Sequence, residues 1–204
     1  VSLLAALTAD RLFGEVPRYH PLVGFGLLAN RVEGYARHVL ASHGGASGAD
    51  DTVAPDSERW SGAVSWCLLV IPPTLMTWLF QANLGATALF ISSVVVLYFC
   101  IGGRSLAEHA MAVARPLRSG DLDGARAQLA RIVSRDTTHL GEESVAKATV
   151  ESVLENGSDA LLAPIFWFVV AGAPGVVCYR LANTLDAMWG YRNPRYLNFG
   201  RTAA

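Results

Sequence analysis

Residues 60–103 read WSGAVSWCLLVIPPTLMTWLFQANLGATALFISSVVVLYFCIGG and contain no Asp, Glu, Lys or Arg. A helix needs about 20 consecutive apolar residues to cross the hydrocarbon core of a bilayer. This run is long enough for two crossings, and its one polar cluster, Gln81-Ala82-Asn83-Leu84-Gly85, marks the break between them. Pro72-Pro73 predicts a kink in the first. A buried soluble hairpin would account for one such length, not for two back to back. Composition agrees: of 204 residues 52% are hydrophobic and 16% charged, with a mean hydropathy of +0.33, whereas soluble domains are about a quarter charged. The expected fold class is all-α, a multi-pass integral membrane protein with a cytoplasmic helical loop region and a re-entrant hairpin.

Working outward, the chain divides into six zones. Residues 1–9 are the end of a first apolar helix; 10–59 form a loop with an amphipathic piece over 27–40 and a Gly/Ser/Asp-rich linker over 41–58; 60–103 are the paired spans. Residues 104–159 are charged and helical in pattern, 160–179 are apolar but broken by Pro164, Gly172, Pro174 and Gly175, and 180–204 carry a cluster of polar motifs. Nine apolar residues before Asp10 are short for a span, so the sequence reads as a fragment lacking both ends. Within 104–159, Ser105 with Glu108 predicts a capping box, and Asp121 the cap of a second helix. Leu122, Ala125, Leu129, Ile132 and Val133 line one face of that helix, expected to pack against the membrane domain.

Arginine sets the orientation. Fifteen of the sixteen basic residues are Arg, five in 10–59 and six in 104–159, with none at the tip between the two spans. By the positive-inside rule both loops are cytoplasmic. Four more Arg follow residue 179, so 160–179 is read as a hairpin turning at Gly172–Gly175 that returns to the same side, a geometry tolerated where protein or water lines it.

Several function classes fall away. Cys67, Cys100 and Cys178 sit in apolar segments without CxxC spacing, and read as small core or lipid-facing residues rather than disulfides or a zinc site. There is no basic tract for nucleic acid, no Walker GxxxxGK[ST] and neither GxSxG nor HExxH.

The acids are more pointed. In ESVLENGSDALLAPIFW, residues 151–167, Glu151, Glu155 and Asp159 fall at i, i+4 and i+8 and share one face of a continuous helix. Like charges at that spacing repel unless a cation satisfies them, and a hard cation such as Mg²⁺ takes oxygen-rich sites of this kind, shared with phosphates. A solvated helix face is the plain alternative; the stripe's position at the mouth of the apolar hairpin, where acids are costly without a role, argues for the site. Three further clusters lie outside the spans. They are Arg135-Asp136-Thr137, Asn183-Thr184-Leu185-Asp186 with Gly190-Tyr191, and Asp10, Gly14, Glu15 and His20-Pro21. Singly, these read as a turn, an N-cap and an interfacial turn.

Taken in order, these blocks resemble the CobD/CbiB cobalamin-biosynthesis family. The resemblance is carried by Asp10, Gly14-Glu15, His20-Pro21 and Gly24; Arg104-Ser105-Leu106; Arg135-Asp136-Thr137; Glu151-Ser152, Glu155-Asn156, Ser158-Asp159, Ala163-Pro164 and Phe166-Trp167; and Asn183-Thr184-Leu185-Asp186 with Gly190-Tyr191-Arg192. It covers nearly the whole chain. Departures are modest: Gly14-Glu15-Val16-Pro17 replaces a usual Gly-Asp-Pro, Ala160 a usual Gly, and Trp189 a common Val. Family members continue beyond the Phe-Gly motif, here Phe199-Gly200, into an Arg-Leu-Asp-Asp segment.

The resemblance implies a multi-pass inner-membrane enzyme, active on its cytoplasmic face. It would join adenosylcobyric acid to (R)-1-aminopropan-2-ol O-phosphate through an amide bond, with ATP and Mg²⁺, among other membrane enzymes of the cobalamin pathway. Under that implication Glu151, Glu155, Asp159 and Asp186 hold the metal, with Asp136 a further ligand or an orienting partner of Arg135. Arg104, Arg135 and Arg192 grip phosphates. Asn156, Asn183 and Thr184 bind corrinoid amides, and His20, or else Glu15 or Asp10, takes the proton from the amine. Two rivals stand beside it: a transporter, suggested by the broken helix, and a non-catalytic sensor of the same superfamily. A sensor would tolerate loss of these acids; their presence favours the enzyme.

Overall fold

The computed structural model describes residues 1–14, 20–44 and 55–204; Glu15 and residues 45–54 of the linker lie outside the described residues. Among the described residues no strand occurs. The described residues form eight α-helices in order: α1 Ser2–Phe13, α2 Pro21–Gly44, α3 Pro55–Ala82, α4 Ala86–Cys100, α5 Gly103–Arg118, α6 Leu122–Leu129, α7 Glu142–Gly157 and α8 Ala163–Trp189. A π-turn, Ser158–Leu162, joins α7 to α8, and a 3-10 turn, Phe199–Thr202, closes the chain.

The uncharged run becomes α3 and α4, parted at the polar cluster 81–85, where Gln81 Nε2 reaches across to the hydroxyls of Ser92 (3.0 Å) and Ser93 (3.3 Å). α3 carries Pro72 and Pro73 in its interior yet continues as one helix to Ala82. Its apolar side chains face outward: Met76 is 69% exposed and Trp78 56%. Exposed apolar surface on this scale calls for lipid or a partner. Three helical stretches, Asp56–Ala82, Ala86–Arg118 and Glu142–Trp189, are long and apolar enough to cross a membrane.

Three cores hold the helices. Ala6, Leu97, Cys100, Ile101 and Val176 join α1, α4 and α8. Ala29, Leu69, Val70, Leu181, Leu185, Trp189 and Phe199 join α2, α3, α8 and the closing turn. The third core corrects an expectation. Ala125 and Leu129 of α6 are buried against Val113 of α5 and Val145 and Ala148 of α7, with Leu122, Ile132 and Val133 alongside. The stripe therefore closes a three-helix cluster of its own rather than docking on the spans. Asp121 does cap α6, accepting the Gly124 N–H at 2.8 Å. The capping box at Ser105 and Glu108 does not form. α5 starts earlier, at Gly103, and the buried carboxylate of Asp10 caps it by accepting the Arg104 N–H at 3.0 Å.

α8 is two arms. Gly172 sits at φ 65°, ψ −156°, a region that only glycine enters readily. Twenty helical residues span about 30 Å, yet the Tyr179 hydroxyl lies 3.4 Å from Asp159. A Cβ on Gly175 would fall 2.7 Å from the Trp167 carbonyl oxygen. The arm over 173–189 thus turns back along the arm over 163–171. Asn183, Thr184 and Asp186, read from sequence as a cap beyond this segment, are interior residues of the returning arm. The helix simply continues, because Leu181, Leu185 and Trp189 recur at i, i+4 and i+8 and are buried in the core.

Candidate functional site

The turnback and the three-helix cluster meet around a cavity of about 430 Å³, inside the usual size range of small-molecule sites. Its walls come from the start of α5 (Ser105, His109), the segment after α6 (Arg131–Ser134), α7 (Ser152, Asn156), the π-turn (Ala160) and the returning arm of α8 (Arg180). The wall is tied together by backbone. Gly102 N–H donates to the Ala160 carbonyl at 3.0 Å, an acceptor in the π-turn. Such turns occur often at functional sites. Ser152 Oγ donates to Ile132 O at 3.0 Å, and Asn156 Nδ2 donates to Ser152 O (2.8 Å) and Oγ (3.1 Å). Asn156 is therefore held through its Nδ2, and among the described residues its Oδ1 has no donor.

The acids are distributed differently from the continuous-helix reading. Glu151 is half exposed and paired with Arg135 at 2.8 Å. Glu155 is exposed and, among the described residues, has no ion-pair partner. The π-turn begins at Ser158, so the i, i+4, i+8 spacing stops applying at the third acid, and Asp159 lies beside Tyr179 instead. Asp186 is exposed on α8. Among the described residues no group of three or more His, Cys, Asp or Glu comes together for a metal, and none of these four carboxylates lines the cavity. Asp136 closes a local turn, accepting the Thr138 N–H (2.9 Å) and hydroxyl (2.8 Å). Those donors hold its carboxyl below the ordinary 3.8.

The basic and polar candidates divide as well. Arg104 folds back onto the end of α1, donating to the carbonyls of Leu12 (2.7 Å) and Arg11 (3.3 Å) and to Glu108 at 2.8 Å. It closes a helix end whose carbonyls would otherwise be orphaned. Arg192 is exposed beyond α8. Asn183 and Thr184 are half-buried, and Thr184 Oγ1 donates to Arg180 O. His20 is 7% exposed; its Nδ1 accepts the Leu22 N–H at 3.2 Å, and its ring stands edge-on to Phe99.

Sequence reasoning missed two features. One is Glu33, 1% exposed on α2, which accepts from Arg37 Nε (2.8 Å), Arg195 Nε (3.0 Å) and the Tyr196 hydroxyl (3.2 Å). Arg37 in turn donates to the Arg195 carbonyl at 2.6 Å and lies 4.8 Å over the Phe199 ring. This carboxylate fastens the closing segment to α2. Its signal was present: Ala29, Val32, Glu33 and Ala36 share one helical face, an acid inside an apolar stripe. The other is the cavity's own basic set, Arg131, Arg180 and His109, which no sequence proximity announces.

The sequence model of the CobD/Cbib protein family matches residues 3–204. The cobalamin biosynthesis protein CobD of Stutzerimonas stutzeri strain A1501 is 51% identical over 204 residues, covering 100% of this chain and 62% of the relative. That of Chromobacterium violaceum is 52% identical over 199 residues, 98% of this chain and 60% of the relative. That of Brucella anthropi is 35% identical over 213 residues, 100% and 61%. The chain spans less than two thirds of the length of these relatives. No solved structure matches it. With a match over almost every residue, the chain belongs to the CobD/CbiB family.

Proposed function

We propose that the full-length protein performs an amide-forming step of cobalamin biosynthesis, the ATP-dependent joining of adenosylcobyric acid to (R)-1-aminopropan-2-ol O-phosphate. The observation that carries this reading is the family match over residues 3–204, with half-identical relatives named for cobalamin biosynthesis. The enzyme is a multi-pass protein of the inner membrane with its active face in the cytoplasm. The arginine distribution supports that orientation. The turnback at Gly172 supports a hairpin that leaves and re-enters the same side.

A carboxylate does not condense with an amine unaided. Phosphoryl transfer from ATP turns it into an acyl phosphate, the unprotonated amine attacks the carbonyl carbon, and inorganic phosphate leaves with ADP already formed. Mg²⁺ neutralises charge on the transferring phosphoryl group. It usually binds through one or two carboxylates plus substrate phosphates rather than a protein-only cage. The residues fit that requirement: Glu155 has no ion-pair partner among the described residues, and Glu151 lies one turn away on α7. These two are the proposed metal ligands, with Asp159, Asp186 and Asp136 less directly placed. Arg135, paired with Glu151 at 2.8 Å, is the proposed grip on a phosphate. Asn156, at the cavity wall, offers its Oδ1 to a substrate amide. His20 remains the proposed proton acceptor.

The test is synthesis itself. Membranes carrying the full-length protein, given adenosylcobyric acid, aminopropanol phosphate and Mg-ATP, should form adenosylcobinamide phosphate with ADP in equal amount. Absence of the amide under those conditions removes the reading. Substrate flux in vesicles without ATP turnover would replace it with transport. For topology, a cysteine at Arg195 (R195C) should resist outside labelling in intact cells; rapid labelling refutes the hairpin.

A further inference from the structure

The cavity between α5, α7 and the returning arm of α8 is basic. Arg131, His109 and Arg180 contribute to its wall, and no carboxylate does. Arg180 is the telling residue. It ends a stretch of 20 uncharged residues, 160–179, where a charge is expensive without a role. Its Nε is buried, and among the described residues it has no hydrogen-bond acceptor. No ion pair is recorded for Arg180 among the described residues either. Buried donors are ordinarily satisfied, so this one lacks a partner that the described chain does not supply. Arg131, also on the cavity wall, is engaged among the described residues only through a 3.4 Å contact to Gln128. His109 Nδ1 lies 2.7 Å from the Ser105 carbonyl. A carbonyl only accepts, so Nδ1 carries a proton and Nε2 is left for other partners.

We infer that this cavity is a binding site for a terminal phosphate group, held between Arg180 and Arg131. Guanidinium binds phosphate with paired, charge-assisted hydrogen bonds, and a dianion there relieves the desolvation cost borne by the buried Nε of Arg180. Ser105 and Ser134 add hydroxyl groups to the wall around it. Among the described residues none of the α7 carboxylates lines this wall, so no like charge there opposes a phosphate. The identity of the phosphate rests on the reaction proposed above, which supplies two sources, the amino-alcohol phosphate and the nucleotide.

The experiment is direct binding by calorimetry to the full-length protein in nanodiscs, without turnover. The probes are inorganic phosphate, aminopropanol phosphate, a non-hydrolysable ATP analogue and unphosphorylated aminopropanol. The phosphorylated probe that uses the site should bind, and R180Q and R131Q should each weaken it at least tenfold. Unphosphorylated aminopropanol should not bind there, and R118Q, at the exposed end of α5, should match wild type. Whichever organic phosphate is sensitive to both substitutions identifies the source. Arg131 is exposed and outside the three cores, so R131Q decides the matter even where R180Q fails to fold. Wild-type affinity for every phosphate in both variants overturns the site, as does failure of all phosphates to bind. Arginine-dependent phosphate binding by a protein that forms no amide would leave the site standing and remove the proposed reaction.

Discussion

Replacing Glu33 by Ala and by Gln should give sharply different results, and the structure says why. Glu33 Oε1 takes both arginines, Arg37 at 2.8 Å and Arg195 at 3.0 Å, while among the described residues Oε2 takes only the Tyr196 hydroxyl at 3.2 Å. Gln can keep a carbonyl oxygen toward the arginines and turn its NH₂ to the phenol oxygen, which also accepts. It loses charge but no partner, at a cost of about 1 kcal/mol. Ala loses everything at a site that is 1% exposed. Hydrogen bonds to charged groups contribute roughly 1.5–3 kcal/mol each. Arg195, however, is 64% exposed and Arg37 27%, so water recovers much of the former and screening leaves its pair a minor contribution. The remaining contacts put Glu33→Ala at roughly 3 kcal/mol, with Arg37 the dominant partner. The measurement is urea unfolding of the full-length protein in micelles, followed by tryptophan fluorescence, with double-mutant cycles against R37Q and R195Q. Trypsin cleavage after Arg195 and Arg201 reports whether the closing segment has come away. Equal losses for Ala and Gln, or a stronger coupling to Arg195 than to Arg37, would refute the assignment.

Three shorter predictions accompany it. Gly172→Ala places a Cβ at φ 65°, ψ −156° and should cost on the order of 1–3 kcal/mol, read as a lower midpoint in the same urea assay; an unchanged midpoint means the backbone there is not so constrained. Burial first, then the Glu33 carboxylate, raises the Tyr196 phenol above its ordinary 10.0. The folded state therefore favours the protonated phenol: its contribution is full below pH 10.0 and is lost as pH rises through the folded pKa. Tyr196→Phe should abolish that alkaline loss, and a loss unchanged in the variant would place its origin elsewhere. Glu155→Gln should remove ATP-dependent amide synthesis while leaving the fold intact; full synthesis in that variant sinks its metal role.

The helices were legible where burial leaves a simple mark. An uncharged run of two membrane lengths became α3 and α4, and Asp121 capped α6 as its position before Leu122 implies. The legible part ended where distant chain supplied what a local motif was expected to supply. Ser105 and Glu108 form a sound capping pattern, but Asp10, some 94 positions upstream of Arg104, reaches the helix first. A buried carboxylate without that backbone donor would be expensive, so the long-range cap prevails. Likewise the stripe of α6 told correctly which residues are buried and incorrectly against what, since periodicity names a face and not its partner.

The same limit separates the two halves of the candidate site. Glu151, Glu155 and Asp159 drew notice because spacing in one helix brings them together on paper. The π-turn at Ser158 interrupts that spacing, and Arg135 takes up Glu151. Arg131 and Arg180 drew none, because only the reversal at Gly172 and the packing of α7 against α5 place them on one cavity. These observations bear differently on chemistry. An exposed carboxylate is content in water, so its position carries little obligation to bind anything. A half-buried guanidinium whose buried Nε has no acceptor among the described residues carries a real cost. Where a cost of that kind persists at the rim of a ligand-sized cavity, the anion that relieves it is the better guide to what the site holds.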